Sequence, residues 1–98
     1  MVVHIALYKW KSGTTPEQII QALKKVQALK NKIDGVEDIF VGENFHKESK
    51  GFTHGVVVIA DNQNALDEYR NHSSHTIVSR EIEEIEADGL GFDFKNLY

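Results

Sequence analysis

A phenol and two imidazoles lie within seven residues of one another in a segment that otherwise has the pattern of a helix: they belong to Tyr69, His72 and His75. An imidazole titrates near neutral pH, and a neighbouring phenol can orient it or exchange a proton with it. We therefore predict that His75 is a catalytic acid or base and that Tyr69 is its partner. The alternative is a helix-end histidine whose nitrogens bond only to backbone carbonyls.

Two further histidines, His4 and His54, lie inside apolar segments that are typical of strands. A buried imidazole needs hydrogen-bond partners, so these rings either serve packing specificity or share a pocket with Tyr69 and His75. On the second interpretation, the predicted substrate-binding residues are His4, His54, His72 and Trp10. Aromatic side chains that line such a pocket favour an apolar or aromatic ligand.

A metal site is a weaker interpretation of the same residues. His72 lies three residues before His75, so both could bind one ion from one helical face. However, the chain has no cysteine and no carboxylate at a fixed spacing nearby. We therefore predict neither a metal site nor a cofactor, and we interpret the acidic run at 81–88 as a solvated helix end.

The surrounding residues alternate between strand and helix patterns. Strands are predicted over 2–10, 36–45, 52–60 and 90–94, with helices after the first and third of them. Thr15, Pro16 and Gln18 form a capping box at the start of the first helix, and Gly35 ends it.

The second helix should begin after a cap at Asp61 and restart at Ser73 or Ser74 after a kink. Tyr69 and His75 share a face only if the helix breaks near 71–73. The apolar residues that should face the sheet lie at helical spacing: Ile19, Ile20, Leu23, Val26, Leu29 and Ile33 in the first helix, and Ile77, Val78, Ile82 and Ile85 in the second.

This order, β-α-β-β-α-β, predicts an α+β, ferredoxin-like fold with both helices on one face of a four-stranded sheet. The first and third strands are then neighbours, and we expect them to run parallel, with His4 and His54 near their starts. Both strands carry apolar residues on both faces, whereas a sheet with one face in water alternates apolar with polar residues. We therefore predict a homodimer in which a second copy covers the open face.

The composition is that of one domain spanning residues 1–98. The chain is 41% hydrophobic and 27% charged, with a net charge of −4 and no cluster of basic residues that would suggest a nucleic-acid partner. The N-terminal apolar run is much shorter than the ~20 residues that cross a bilayer. We expect no membrane partner and a cytoplasmic location.

Four segments resemble the stress-responsive A/B barrel (Dabb) domain family. VHIALYKWK at 3–11 resembles its opening strand, GFTH at 51–54 its central strand, YRNHSSH at 69–75 its Y-x-x-H-P-x-H segment, and Asp93-Phe94 its terminal D-[FY]. The resemblance implies a dimeric α+β barrel. In place of the family's frequent proline, this chain has Ser73, which removes a fixed kink but can cap the second helical piece.

Plant members of this family are stress-induced proteins, and one, olivetolic acid cyclase, is a cofactor-free polyketide cyclase that acts by intramolecular aldol condensation. The resemblance carries its site residues onto His4, His54, Tyr69 and His75. It also implies, for some members, a cation at the turn after the first helix, here 33–36. The hypotheses are a small-molecule binder, a cofactor-free enzyme such as a cyclase, and a structural stress protein without catalysis.

Overall fold

The computed structural model describes residues 1–97, and Tyr98, the last residue of the predicted domain, lies outside them. The elements in chain order are β1 Val2–Trp10, α1 Pro16–Ala28, a short 3-10 turn Leu29–Asn31, β2 Val36–Glu43, β3 His54–Ala60, α2 Gln63–Asn71, α3 Ser73–Ile85 and β4 Glu86–Lys95. The predicted order is confirmed, with the second helix in two pieces. The predicted second strand is too long, because β2 ends before Phe45, whose side chain is 99% exposed.

The four strands form one sheet in the order β2-β3-β1-β4, and every neighbouring pair is antiparallel. The expectation that β1 and β3 run parallel is therefore wrong. The α1 crossover returns the chain so that β2 follows the direction of β1, and the hairpin then reverses it before β3. His4 pairs with Val58 and His54 pairs with Tyr8, so the two histidines lie towards opposite ends of the β1–β3 pairing.

Apolar side chains from the helices pack on one face of the sheet and form the core. Two residues assigned to the helical stripes are instead exposed: Ile20 by 51% and Ile77 by 61%. Each stands beside a buried residue, Ile19 and Val78 respectively, and adjacent helical positions point about 100° apart. The other predicted apolar positions of the first helix are buried in the core. The helix is shorter than predicted, because α1 ends at Ala28, Leu29 belongs to the 3-10 turn, and Ile33 follows that turn.

The helix starts follow the predicted chemistry in one case and differ in two. Thr15 and Gln18 form the expected capping box at α1. Asn62, not Asp61, caps α2 by accepting the backbone N–H of Ala65. The cap of α3 is His72 rather than a serine, because its extended backbone directs the imidazole towards the first turn.

The face of the sheet opposite the helices is apolar and uncovered. One row crosses all four strands, in the order Phe40, Val57, Ile5 and Phe92. Phe40 is 54% exposed and Phe92 61% exposed. Within residues 1–97, no helix has both the length and the apolar character needed to cross a bilayer.

Candidate functional site

The break at His72 brings Tyr69 and His75 together. His72 is extended, with ψ at 139°, between the end of α2 and the start of α3. In an unbroken helix, two residues six positions apart would lie about 9 Å apart along the axis and on different sides of it. Here the ring centroids are 4.6 Å apart with an interplanar angle of 60°, an edge-to-face contact.

Tyr69 and His75 line a cavity of about 110 Å³ between the helices and the sheet. The side chains around it divide into a polar set and an apolar set. The polar set is His4, Tyr8, Tyr69, His75, Ser79, Glu83 and Glu86, and the apolar set is Val26, Leu29, Val56, Val78 and Ile82. Two phenols and two imidazoles therefore share one small space with an apolar wall.

His4 lines this cavity from β1, and the side chains of Asp93 and Arg70 contact its ring. The Nδ1 of His4 lies 2.5 Å from Oδ1 of Asp93, its cross-strand partner on β4. The guanidinium of Arg70, on α2, donates to the other carboxylate oxygen of Asp93. Burial would raise the pKa of Asp93, but the hydrogen bonds from His4 and Arg70 outweigh it and hold that pKa below its usual range.

His54 and Trp10 do not line this cavity. Of the four rings that were expected to share one pocket, His4, Tyr69 and His75 meet there and His54 does not. The antiparallel register carries His54 towards the other end of β1. There the indole N–H of Trp10 donates to Nδ1 of His54 at 2.9 Å, and Trp10 stacks on Tyr8 with ring centroids 5.1 Å apart. His54 lines a separate groove of about 560 Å³ between α1 and β2.

His72 has a structural task that its sequence position did not indicate. Its Nδ1 accepts the backbone N–H of Ser74 at 3.0 Å and so caps α3. The substrate-binding roles given to His72, His54 and Trp10 stay predictions. Among residues 1–97, no group of three or more histidine, aspartate or glutamate side chains is placed to hold a metal ion.

Burial sets the protonation of the rings in the cavity. It lowers the pKa of His75 below 6.5, although the backbone carbonyl of Arg70 opposes the shift. Burial also raises the pKa of Tyr8 to about 12, with a contribution from the charge of Glu86. Burial and the nearby phenol of Tyr8 also raise the pKa of Tyr69. At neutral pH the site thus holds the neutral imidazole of His75, which has one nitrogen free to accept a proton, beside two neutral hydroxyl donors.

Six polar residues of the site had no predicted functional role: Tyr8, Arg70, Ser79, Glu83, Glu86 and Asp93. Glu83 and Glu86 belong to the acidic run that was predicted to be solvated, yet both line the cavity. Asp93 belongs to the terminal D-[FY] segment, so a motif marked it without giving its partner. Tyr8 lies four residues after His4 on β1, so strand alternation puts both side chains on the face towards the helices. Arg70 and Glu86 stand next to an element end, where periodicity does not fix the direction of a side chain.

Residues 2–96 match the sequence model of a family described as Stress responsive A/B Barrel Domain. A protein of Arabidopsis thaliana has a similar structure, with 25% identity, a TM-score of 0.92, and coverage of 100% of this chain and 97% of its own. No curated protein sequence matches the chain.

Two other solved structures share the fold at lower identity. A dimeric ferredoxin-like protein of Thermobifida fusca is 23% identical, with a TM-score of 0.85 and coverage of 97% of this chain and 90% of its own. The hydroxynitrile lyase of Passiflora edulis is 17% identical, with a TM-score of 0.89 and coverage of 99% and 94%. These similarities establish the ferredoxin-like fold of this chain.

Proposed function

This chain belongs to the stress responsive A/B barrel domain family, and we propose that it binds a small molecule in the Tyr69–His75 cavity and acts on it by cofactor-independent acid–base chemistry. The observation that carries the proposal is the contact of a buried phenol with an unprotonated imidazole inside a cavity. A structural protein needs no such arrangement. The proposal makes His75 and Tyr69 the catalytic residues.

The two rings divide the chemistry between them. His75, with its pKa lowered by burial, accepts a proton from a carbon or oxygen of the ligand at neutral pH. Tyr69 and Tyr8 keep their protons because burial raises their pKa values. Their hydroxyls therefore donate hydrogen bonds to the negative charge that develops on a carbonyl oxygen when the proton leaves.

The size of the cavity favours a compact ligand. An engineered apolar cavity of about 150 Å³ holds benzene, and this cavity measures about 110 Å³. The hydroxynitrile lyase of Passiflora edulis has the same fold, so we extend the proposal to small carbonyl compounds and their addition products. The hydroxyls of Tyr69 and Tyr8 would donate to the carbonyl oxygen of such a substrate, and His75 would accept its proton.

Aldol cyclisation of a poly-β-keto chain is the second candidate. It needs the same base and the same oxyanion donors, which His75 and Tyr69 would supply. A long chain exceeds the cavity volume and requires the helices to move apart. A stress protein without catalysis is the third candidate, and it predicts that replacing either ring affects stability alone.

The open apolar face supports assembly into a homodimer. Full burial of a large apolar side chain contributes about 1.5–3 kcal/mol, and the row containing Phe40 and Phe92 is more than half exposed at both ends. The Thermobifida fusca protein of the same fold is dimeric. A second copy of this chain, packed face to face, would cover the row. A cytoplasmic location stays a prediction.

The experiment follows exchange of acidic protons in D2O by proton NMR, using compact carbonyl compounds such as 1,3-diketones as probes. The native protein should accelerate loss of the α-proton signal above the buffer rate. His75→Ala and Tyr69→Phe should each reduce the acceleration, by about 10²- to 10⁴-fold for the base. The readout needs no knowledge of the final product.

His46→Ala is the matched control, because His46 lies in the exposed β2–β3 connection away from the cavity. Acceleration that survives both His75→Ala and Tyr69→Phe would remove these rings from the mechanism. Probe-induced shifts of the His75 resonances without any exchange would reduce the proposal to ligand binding. Neither exchange nor shifts with any probe, poly-β-keto compounds included, would favour the structural candidate.

A further inference from the structure

Arg70, Asp93 and His4 form one connected cluster from three separate elements. Asp93 on β4 places Oδ1 at 2.5 Å from Nδ1 of His4 on β1. Its Oδ2 accepts from the guanidinium of Arg70 on α2. The Nη2 of Arg70 also lies 3.2 Å from Nδ1 of His4. Asp93 is thus shared between a cation and an imidazole.

The contacts of the cluster fix which ring nitrogen of His4 carries the proton when the ring is neutral. Asp93 is ionised at neutral pH because its pKa is lowered, so both of its oxygens accept. Nδ1 of His4 must then carry the proton that it donates to Oδ1. A protonated Nδ1 cannot accept from Arg70, so the 3.2 Å approach is a contact and not a second hydrogen bond. In the neutral ring, the other nitrogen, Nε2, is then an acceptor.

We propose that Arg70 is a positioning residue that acts through Asp93 to fix His4 in the Nδ1–H form, so that His4 presents an unprotonated Nε2 to a ligand in the cavity. This inference rests on the proposed function for its consequence but not for its test. The nitrogen that is not engaged at Asp93 belongs to a ring that lines the cavity. The class of ligand is therefore one that brings a hydroxyl or an acidic N–H or C–H to His4, while His75 acts on the reacting proton.

Arg70 suits this task for reasons of geometry. A guanidinium is planar, always charged, and presents several N–H donors in a fixed fork, so it can hold a carboxylate in one orientation. The Arg70 side chain is 38% exposed and that of Asp93 40%, and pairs with this exposure contribute little to stability. The main effect of removing Arg70 should therefore appear in the proton positions of His4 and not in unfolding.

The test reads the two ring nitrogens of His4 directly, by long-range proton–nitrogen NMR of the full 15N-labelled chain at pH 8. In the native protein, His4 should show a protonated Nδ1 and an unprotonated Nε2. Arg70→Gln should cause loss of this pattern, Arg70→Lys should retain part of it, and Asp93→Asn should abolish it, because an amide next to a histidine selects the wrong tautomer. Arg80→Gln, an exposed arginine of α3, is the matched control and should leave the pattern unchanged.

A native His4 protonated at Nε2 would overturn the proposal, and so would an Arg70→Gln protein that keeps the native pattern. If Arg70→Gln fails to fold, Asp93→Asn and Arg70→Lys still decide between the outcomes. Because the NMR experiment uses no ligand, it can succeed while the proton-exchange assay fails, which would reject the proposed chemistry and keep the role of Arg70. The reverse result would reject only Arg70 as a positioning residue.

Discussion

Ile39 and Phe40 are neighbours on β2, yet Ile39 is completely buried against the helices and Phe40 is 54% exposed on the opposite face of the sheet. Successive side chains of a strand point to opposite faces of the sheet, so the two faces can have different roles. One face supports the core and the cavity. The other face is apolar without a cover within the chain.

We expect Phe92→Glu to weaken association between copies of this chain. Loss of one large buried apolar side chain, about 1.5–3 kcal/mol, corresponds to at least a tenfold rise in the dimer dissociation constant. Sedimentation equilibrium over a range of concentrations measures it. Ile20→Glu is the control, because Ile20 is 51% exposed on the helical side. A native chain that sediments as a monomer at micromolar concentration would contradict the proposed dimer.

The protonation of His75 should make stability depend on pH. Its pKa in the folded chain lies below the 6.5 of a free imidazole, because burial disfavours the charged ring. Between the folded and the unfolded pKa, the unfolded chain binds more protons, so the free energy of unfolding should fall as the pH decreases through that window. Urea unfolding measured from about pH 7 to pH 5 should show this slope.

The control is His75→Gln, which should remove that part of the slope. An NMR titration of the His75 ring should give a midpoint below 6.5 in the folded protein, and the acid limb of any activity should fall at the same pH. A midpoint at or above 6.5 would mean that the ring is solvated or paired with an anion.

Ser73→Pro should stabilise the chain by about 0.4–1 kcal/mol. Ser73 is the first residue of α3, where proline is tolerated, and the extended backbone of His72 before it suits a following proline. The urea midpoint should therefore rise without loss of the Tyr69–His75 contact. Thr76→Pro is the contrasting variant, because the backbone N–H of Thr76 donates to His72 and its removal should cost about 3 kcal/mol. A destabilised Ser73→Pro variant would show that the backbone at His72 and Ser73 does not fit a proline.

Gly35→Ala should destabilise the chain more than Gly13→Ala. Both glycines have positive φ, 82° and 89° respectively, which strains an alanine. At Gly35, however, the added Cβ would also meet the Cβ of Ala65 at 2.6 Å, whereas at Gly13 nothing lies within 4 Å. Thermal unfolding of the two variants checks the order, and equal losses would mean that α2 shifts freely away from this turn.

The order of elements and the broken helix could be predicted because each depends on local patterns. Thr15, Pro16 and Gln18 act within one turn, and the polar interval at 71–73 marks a stop in the helical spacing. The cap at Asn62 in place of Asp61 shows the limit of such rules, since both residue types suit the position.

The partners across the sheet could not be predicted in the same way. His54 was expected beside His4, and the antiparallel register instead placed it at the Trp10 end of β1. Asp93 meets His4 only because β4 returns along the far side of β1, 89 residues later in the chain. Such contacts depend on strand direction and register, which the alternation of a single strand does not contain.

β4 carries Asp93 towards His4 and the flanking Phe92 and Phe94 towards the uncovered face. A one-residue deletion in Glu86–Gly89 would reverse this alternation along the strand. The carboxylate of Asp93 would then lie among phenyl rings on the uncovered face, and a phenylalanine side chain would pack against the imidazole of His4. Assembly and chemistry would then fail together, although neither set of side chains had been altered.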